Sequence, residues 1–213
     1  MRRLIIGMAA LAACGATTFA AEGAAGFVEF GPGILSHTGN INSSGDTLKI
    51  SGAQFGGDVT VGAYFGKSDL GAFRVAGTLG YYYSYDDDND RRHHDRRRDS
   101  SKSDIEGYTM PILASVAYEF NLSPVHLRLG PLAGVTHIDW DWYEGYDYGD
   151  WYYRRRNVNM SGSSFTYGGL LGLSFDVNDK FHIAADYKFL CFTDNMIKDD
   201  KVHAIAVSFG MKF

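Results

Sequence analysis

The chain has 213 residues and a formal net charge of −5, and 45% of its residues are hydrophobic. This length suits one domain rather than several, and the mild acidity provides no basic footprint for nucleic acid. Beyond the N-terminus, no run approaches the roughly 20 apolar residues of a membrane-spanning helix, which excludes a helical membrane protein. The chain is rich in glycine (26), tyrosine (14) and phenylalanine (14) but has only 4 prolines, a composition typical of strands and tight turns.

The N-terminus has the features of an export signal. Two arginines precede an apolar stretch that is too short to span a membrane, and small residues surround a cleavage point after Ala20. We therefore expect residues 1–20 to be a signal peptide and residues 21–213 to be one exported domain. The alternative is lipidation at Cys14, which lies in a lipobox-like sequence. Cleavage after Ala20 leaves Cys191 as the only cysteine, so no intramolecular disulfide can form.

The exported part alternates between two kinds of residue with a period of two. In residues 108–120, one alternate set is apolar or aromatic and the other is small or polar, and residues 165–177 behave in the same way. Such alternation predicts strands. The predicted strands cover about residues 26–35, 54–66, 71–85, 108–120, 125–138, 165–177, 181–190 and 204–213.

The connections between these strands alternate in length. Long polar segments at about 36–53, 86–104, 139–164 and 191–202 alternate with short turns at 66–70, 121–124 and 178–180. In an up-and-down antiparallel barrel every second connection lies at the same end, so the long segments share one rim and the short turns share the other. The pattern therefore predicts a barrel of eight strands.

The composition of the two faces distinguishes a soluble barrel from a membrane barrel. A lipocalin-like soluble barrel turns its apolar set inward and covers its exterior with charge, whereas a membrane barrel turns the apolar set to lipid. Here the second set is rich in Gly, Ala, Ser and Thr. A face made of these residues carries too few charges to be a water-facing exterior. We predict an all-β fold: an eight-stranded antiparallel up-and-down transmembrane β-barrel with long extracellular loops and short periplasmic turns.

The C-terminal segment has the pattern of an assembly signal. The chain ends on Phe213, with Phe209 and Met211 at alternate positions before it. Together with the eight strands and the loop rhythm, this ending resembles the small outer-membrane barrels of the OmpX/Ail/Lom and OmpA-barrel type. The resemblance implies a bacterial outer-membrane location, contact with outer-membrane lipid and lipopolysaccharide, and recognition of these three residues by the outer-membrane assembly machinery. We expect a monomer.

Three prolines depart from the barrel pattern. Pro32, Pro111 and Pro131 fall within predicted strands, where a closed barrel offers no free edge for a residue without an N–H group. Because Pro111 and Pro131 lie near one another across a hairpin, we expect either a β-bulge there or a strand register that differs from the predicted one.

The inward set also carries charged residues. They are Glu29, Arg74, Glu119, Arg128, Asp186, Lys188 and Lys212, with His126 and His182 beside them. A charge in so narrow a lumen is costly unless it is paired. We therefore predict a network of ion pairs and hydrogen bonds that fills the barrel, formed chiefly by the first six. The alternative is a narrow, gated ion path, which would make the protein porin-like.

The segment after the fifth predicted strand combines aromatic residues with three consecutive arginines. The candidate contact residues are Trp140, Trp142, Tyr143, Trp151, Tyr152, Arg154, Arg155 and Arg156. Trp, Tyr and Arg supply much of the energy at binding surfaces, so this segment is a candidate contact surface for host or cell-surface ligands. The alternative is an aromatic girdle at the membrane interface, with a hairpin that extends the fifth and sixth strands.

The segment 86–104 is highly charged but almost neutral, because seven acidic residues oppose six basic ones. It predicts a solvated loop whose charges pair locally or with lipopolysaccharide phosphates and their divalent cations. The neighbouring His93 and His94 are too few for a metal site, and none is predicted.

An enzymatic function requires a recognisable constellation of residues. The outer-membrane lipid A deacylases resemble one another in a His-x-Ser pair with a later carboxylate, but neither His126 nor His182 is followed by serine at that spacing. His137 and Asp139 could form a hydrolytic site with a serine, although such a set carries little specificity. We predict no catalytic residues and no cofactor. The predicted function is surface contact, adhesion or envelope stabilisation; the alternatives are the narrow, gated channel and, after it, lipid modification.

Overall fold

The computed structural model describes residues 25–43, 46–84, 104–148, 152–193 and 197–213. The strands are β1 (Ala25–Ser43), β2 (Asp46–Ser68), β3 (Gly71–Ser84), β4 (Asp104–Leu122), β5 (Val125–Tyr148), β6 (Tyr152–Asp176), β7 (Phe181–Phe192) and β8 (Ile197–Lys212). Each strand pairs antiparallel with the next, and β1 also pairs with β8, so the sheet closes into a barrel. The predicted eight-stranded barrel is confirmed. The predicted signal peptide and the charged residues 86–103 lie outside the described residues.

No helix in the described part of the chain is long and apolar enough to cross a membrane.

The short connections are tight turns, as predicted. Gly66, at the end of β2, has φ +62°, a conformation that a residue with a Cβ adopts only under strain. In the turn after β6, the side-chain oxygen of Asn178 accepts hydrogen bonds from the backbone N–H groups of Lys180 and Phe181. In the turn after β4, Asn121 accepts one from the N–H of Ser123. These asparagines satisfy the backbone where strand pairing ends.

Three of the predicted long loops are instead largely paired strands. The predicted loop at 191–202 lies in β7 up to Phe192 and in β8 from Ile197. β1 and β2 stay in register up to Ser43 and Asp46, and β5 and β6 stay in register up to Tyr148 and Tyr152. The predicted loops at 36–53, 139–164 and 191–202 were therefore wrong for most of their length, and the alternative of a hairpin extending the fifth and sixth strands is the correct one. Backbone N–H and C=O groups pair regardless of side-chain polarity, so an antiparallel ladder continues through polar sequence.

Burial alternates along the strands, and the apolar set faces outward. In β3 and β7 nearly every second residue is buried, and the residues between them are exposed. Most of the large apolar side chains are on the outside. Exposed examples are Phe30, Ile34, Ile112, Val116, Leu129, Leu171, Ile183 and Val207. This is the arrangement of a membrane barrel, in which an apolar band faces lipid and small or polar residues face the lumen.

The three prolines do not shift the strand register. On one side of each proline the ladder lacks two residues, and its register is the same before and after the gap. On the other side, Pro32, Pro111 and Pro131 remain opposite their partners. The bulge expected near Pro111 and Pro131 was wrong. Each residue directs its N–H group toward one neighbouring strand, so a proline removes a single ladder bond and leaves the register intact.

Candidate functional site

A buried ion-pair cluster lies in the lumen, and Arg128 is at its centre. The Nε of Arg128 donates to Oε2 of Glu119 at 2.8 Å, and its Nη2 lies 2.8 Å from Oε1 of Glu29. Its Nη1 lies 3.7 Å from Oδ1 of Asp186. The Arg128 side chain is fully buried. One guanidinium, reached from three other strands, therefore faces three carboxylates.

Glu29 is the second centre of this cluster. Its Oε2 accepts a hydrogen bond from Nη2 of Arg74 at 2.6 Å, and its Oε1 lies 2.7 Å from Nε2 of His182. The guanidinium of Arg74 also lies 4.2 Å from the centre of the Phe27 ring. Each charged group has an opposite charge or a hydrogen-bonding partner, which is the condition for keeping charge in so narrow a space.

Two glycines make room for the cluster. A Cβ on Gly172 would collide with the Asp186 carboxylate and lie 3.4 Å from Cδ of Arg128. A Cβ on Gly210 would collide with the His182 ring and lie 2.9 Å from Cγ of Glu29. The small residues of the inward set therefore have a specific task here, because they leave the volume that the long charged side chains occupy.

A separate ion pair lies closer to the extracellular end. Lys188 contacts Asp58, whose Oδ1 accepts a hydrogen bond from the Tyr82 hydroxyl at 2.7 Å. Beside this pair, the hydroxyls of Thr60 and Thr78 are 2.9 Å apart. The sequence did not single out Asp58, although it shares lumen parity with Thr60 in the predicted strand 54–66.

At the periplasmic end the lumen opens into a cavity of about 210 Å³. Lys212 donates to Asp176 at 2.6 Å, and His126 lies 3.1 Å from the same carboxylate. Tyr64 lines the cavity and donates to Glu119 at 3.3 Å, which connects the cavity with the central cluster.

The structure thus places all six predicted lumen residues inside the barrel. Glu29, Arg74, Glu119 and Arg128 belong to one cluster with Asp186, and Lys188 pairs with Asp58. Each of the six is buried.

An apolar layer crosses the lumen on the extracellular side of these charges. Its members are Leu35, Tyr82, Leu113, Leu132, Leu170, Leu190 and Val202, all buried and packed in one cluster. They come from β1, β3, β4, β5, β6, β7 and β8, so seven of the eight strands contribute. We predicted that a network of ion pairs and hydrogen bonds fills the lumen, and that prediction did not include this apolar layer.

Trp140 lies inside the barrel rather than on the outside. Only 2% of its surface is exposed, its Nε1 donates to the Thr109 hydroxyl at 3.2 Å, and its ring meets His37 edge-on at 4.6 Å between centres. We predicted that Trp140 belongs to an outer contact surface, but its side chain lies in the lumen. The cause is strand parity, since Trp140 continues the inward positions Thr136 and Ile138 of β5.

The other predicted contact residues lie near or beyond the barrel rim. Trp151 lies outside the described residues. Trp142 and Tyr143 are in the last part of β5, and Tyr152 and the three arginines are in the first part of β6. The backbone register places Arg154 opposite Tyr146 and Arg156 opposite Glu144.

The outward residues show where the apolar band ends. On β5 the exposed Val135 is followed by His137, Asp139 and Asp141 at the next outward positions. Residues 138–148 of β5 therefore continue past the band. At about 3.3 Å per residue and a tilt of about 40°, this segment extends roughly 25–30 Å beyond the outer edge of the band.

At this edge the structure brings together some of the residues considered for hydrolysis. His137 Nδ1 lies 3.0 Å from the Ser163 hydroxyl, across the β5–β6 pair. Asp139 instead forms a hydrogen bond with the Tyr108 hydroxyl. The result is a two-residue pair on the outer surface rather than the relay of serine, histidine and carboxylate that a hydrolytic triad needs.

Comparisons with known proteins agree with this geometry. Residues 6–213 match the family described as "Outer membrane protein beta-barrel domain". A search of curated proteins finds no match.

Solved structures share the fold. The Ail protein of Yersinia pestis, in complex with the heparin analogue sucrose octasulfate, is similar with a TM-score of 0.51 and 16% identity over 90% of this chain and 99% of Ail. Neisserial surface protein A is similar with a TM-score of 0.52 and 20% identity over 90% of this chain and 100% of that one. A major outer membrane protein of Thermus thermophilus gives a TM-score of 0.52 and 11% identity over 87% of this chain and 99% of that one. The chain belongs to the outer membrane protein beta-barrel domain family and is a small barrel protein of the bacterial outer membrane.

Proposed function

We propose that the protein mediates contact at the bacterial surface, and that its binding element is residues 142–158, here called the extended hairpin. The observation that carries this proposal is the length of β5 and β6, which have 24 and 25 residues and are the longest strands of the barrel. A membrane barrel needs only about 9–11 residues per strand to cross the bilayer, so the additional length serves the exterior.

The composition of the extended hairpin supports binding rather than simple spacing. It contains aromatic residues and the run Arg154–Arg156, the residue types that supply most of the energy at binding surfaces. Arginine can form two parallel hydrogen bonds to a carboxylate, sulfate or phosphate, and tyrosine contributes rigid contact area. The ligand class that we propose is a protein or glycan at a host or cell surface.

The test is to bind the refolded barrel to immobilised matrix proteins and to a sulfated glycan, with sucrose octasulfate as competitor. Replacing the extended hairpin with a two-residue turn should abolish binding. Arg154→Gln/Arg155→Gln/Arg156→Gln should remove binding to the sulfated glycan. The matched control is Lys67→Gln, an exposed cation at the periplasmic end, which should bind as the unchanged protein does. Binding that survives removal of the hairpin would contradict the proposal.

Envelope stabilisation is a second candidate, favoured by the outer edge of β8. Going from the apolar outward residue Ile205 toward the outer end of β8, the next two outward residues are His203 and Lys201. We propose that these two side chains lie at the level where the phosphates of lipopolysaccharide meet the apolar band. If they anchor lipopolysaccharide, His203→Gln/Lys201→Gln should reduce the protection that added lipopolysaccharide gives against unfolding. An unchanged protection would exclude this role.

We infer further that the protein is not an enzyme, because Asp139 is engaged by Tyr108 and leaves the His137–Ser163 pair without a carboxylate. A fluorophosphonate probe, which labels activated serines, should not label the folded barrel. Labelling that disappears in Ser163→Ala would overturn this inference.

A further inference from the structure

The lumen is divided into levels along the barrel axis. On every strand that contributes to it, the apolar layer lies on the extracellular side of the charged lumen residues that the structure describes on that strand. Leu35 follows Glu29 in β1, Leu113 precedes Glu119 in β4, and Leu190 follows Lys188 in β7. Because successive strands run in opposite directions, these orders in sequence correspond to a single order in space.

The charged level communicates with the periplasmic side. The cavity of about 210 Å³ at that end reaches Glu119, which also bonds Arg128. Further in, a small cavity of about 10 Å³ lies between the charges and the layer. Leu113, Leu132 and Leu170 line one part of it, and the rest is lined by Thr60, Thr78, Ser115, Arg74, Asp186 and Lys188. This cavity is about the size of one water molecule.

On the other side of the layer, the buried polar side chains that the structure describes include no Asp, Glu, Lys or Arg. They are Thr109, Thr136, Ser164, Thr166, His37 and Gln54. Thr166 donates to Thr136 at 2.8 Å, and His37 lies 3.4 Å from both Gln54 and Thr109. The layer therefore lies between two polar regions of the described lumen.

We propose that this apolar layer, and not the ion-pair cluster, is the barrier that closes the lumen, so that water and ions reach the cluster from the periplasmic side alone. Hydrophobic constrictions stop ions because water leaves them and an ion cannot shed its hydration shell there. Ion pairs form a weaker barrier, because their hydrogen bonds can be exchanged for bonds to water or to a passing ion. The inference does not depend on what the extended hairpin binds.

The proposal is tested by ion conductance of the purified, refolded barrel in planar bilayers. The layer variant Leu113→Ala/Leu170→Ala thins the barrier on two strands. Its matched control is Ile112→Ala/Leu171→Ala, which makes the same kind of change one residue away on the same strands, on the face turned to lipid. A third variant, Glu119→Gln/Asp186→Asn, removes two carboxylates of the ion-pair cluster and keeps polar side chains.

We expect the layer variant to gain a steady conductance. The unchanged protein, the control and the ion-pair variant should remain closed. A closed layer variant, or an ion-pair variant that conducts, would overturn the proposal. Far-ultraviolet circular dichroism establishes that each variant is folded. If the double layer variant does not fold, the single variants Leu132→Ala and Leu190→Ala carry the same expectation, and closure of both would equally overturn it.

Discussion

Arg128 is fully buried and faces three carboxylates, so its loss leaves Glu119 and Asp186 without the positive charge that they contact. Removing one partner of a buried pair costs about 3–5 kcal/mol, and we expect Arg128→Gln to lower the free energy of unfolding by at least that amount. Lys188 contacts one carboxylate, so Lys188→Gln should cost less. Guanidinium-induced unfolding in detergent micelles measures both, and equal costs would show that the cluster is not centred on Arg128.

The lipid-facing side chains provide a second measurement at the residue scale. Leu171 is exposed within the apolar band, whereas Ser163 is exposed on the same strand at its outer edge. An arginine on the lipid face costs about 2–4 kcal/mol near the bilayer midplane and about 0–1 near the interface. Leu171→Arg should therefore reduce the free energy of unfolding in lipid bilayers far more than Ser163→Arg. The same cost at both positions would be inconsistent with a membrane-spanning barrel in this orientation.

The alternation of residues accounts for how much of the site could be predicted. Parity alone places Glu29, Arg74 and Arg128 inward, and the requirement to pair buried charge predicts contacts among them. Parity could not identify the partners, because sequence does not give the stagger between strands. Trp140 was assigned to a loop because its sequence is polar and aromatic, and the continuing strand turned it inward.

At the scale of the strand, the extended hairpin should be separable from the barrel. Among the residues that the structure describes, β5 does not pair with β4 past Tyr143, and β6 pairs with β7 only from Thr166 inward. The far part of the hairpin is therefore a two-stranded ribbon, which contributes little independent stability. Replacing residues 144–156 with a two-residue turn should change the free energy of unfolding by no more than about 0.5 kcal/mol. Urea unfolding tests this, and a large loss would make the ribbon part of the folded core.

The C-terminal strand carries a prediction about assembly. The backbone of Phe213 exchanges two hydrogen bonds with Gly26, at 2.8 and 2.9 Å, where β8 meets β1. The Phe213 ring lies over Gly26 and is about half exposed. The side chains of Phe209 and Met211, the outward residues before it, are exposed as well. If Phe213 is an assembly signal, Phe213→Ala or an added C-terminal tag should reduce outer-membrane insertion in cells and leave protease-sensitive chain in the periplasm.

Refolding in vitro separates an assembly signal from a structural role of Phe213. Both the substituted and the tagged protein should refold into detergent micelles, because the backbone bonds to Gly26 do not need the phenyl ring. A Phe213→Ala variant that fails in micelles as well as in cells would instead make the ring part of barrel closure.

Strand existence was predictable and strand length was not. Period-two alternation is imposed by the contrast between lipid and lumen, so the signal ends where the membrane ends. β5 and β6 continue for more than ten residues beyond that level through their backbone bonds, which leave no comparable pattern. The apolar layer was missed for a related reason, since inward leucines such as Leu113 and Leu170 look like exceptions until the strands are closed around a common axis.

For the whole molecule, the number of strands sets what the barrel can transport. Eight strands enclose an interior just wide enough for side chains, and here that interior holds the charged cluster, the apolar layer and the polar groups beyond it. The scaffold itself does not specify a ligand, since the same barrel architecture supports many functions. Function is therefore to be sought on the exterior, where the two longest strands project.

A transport measurement follows from this closed interior. Liposomes loaded with sugar and carrying the purified, unchanged protein should not swell in an isotonic solution of a small sugar, because a sugar is far larger than the cavity of about 10 Å³ beneath the apolar layer. A general porin in the same lipid provides the positive control. Swelling that grows with the amount of folded barrel would contradict both the filled lumen and the closed ring of eight strands, and would indicate passive uptake rather than surface contact as the function.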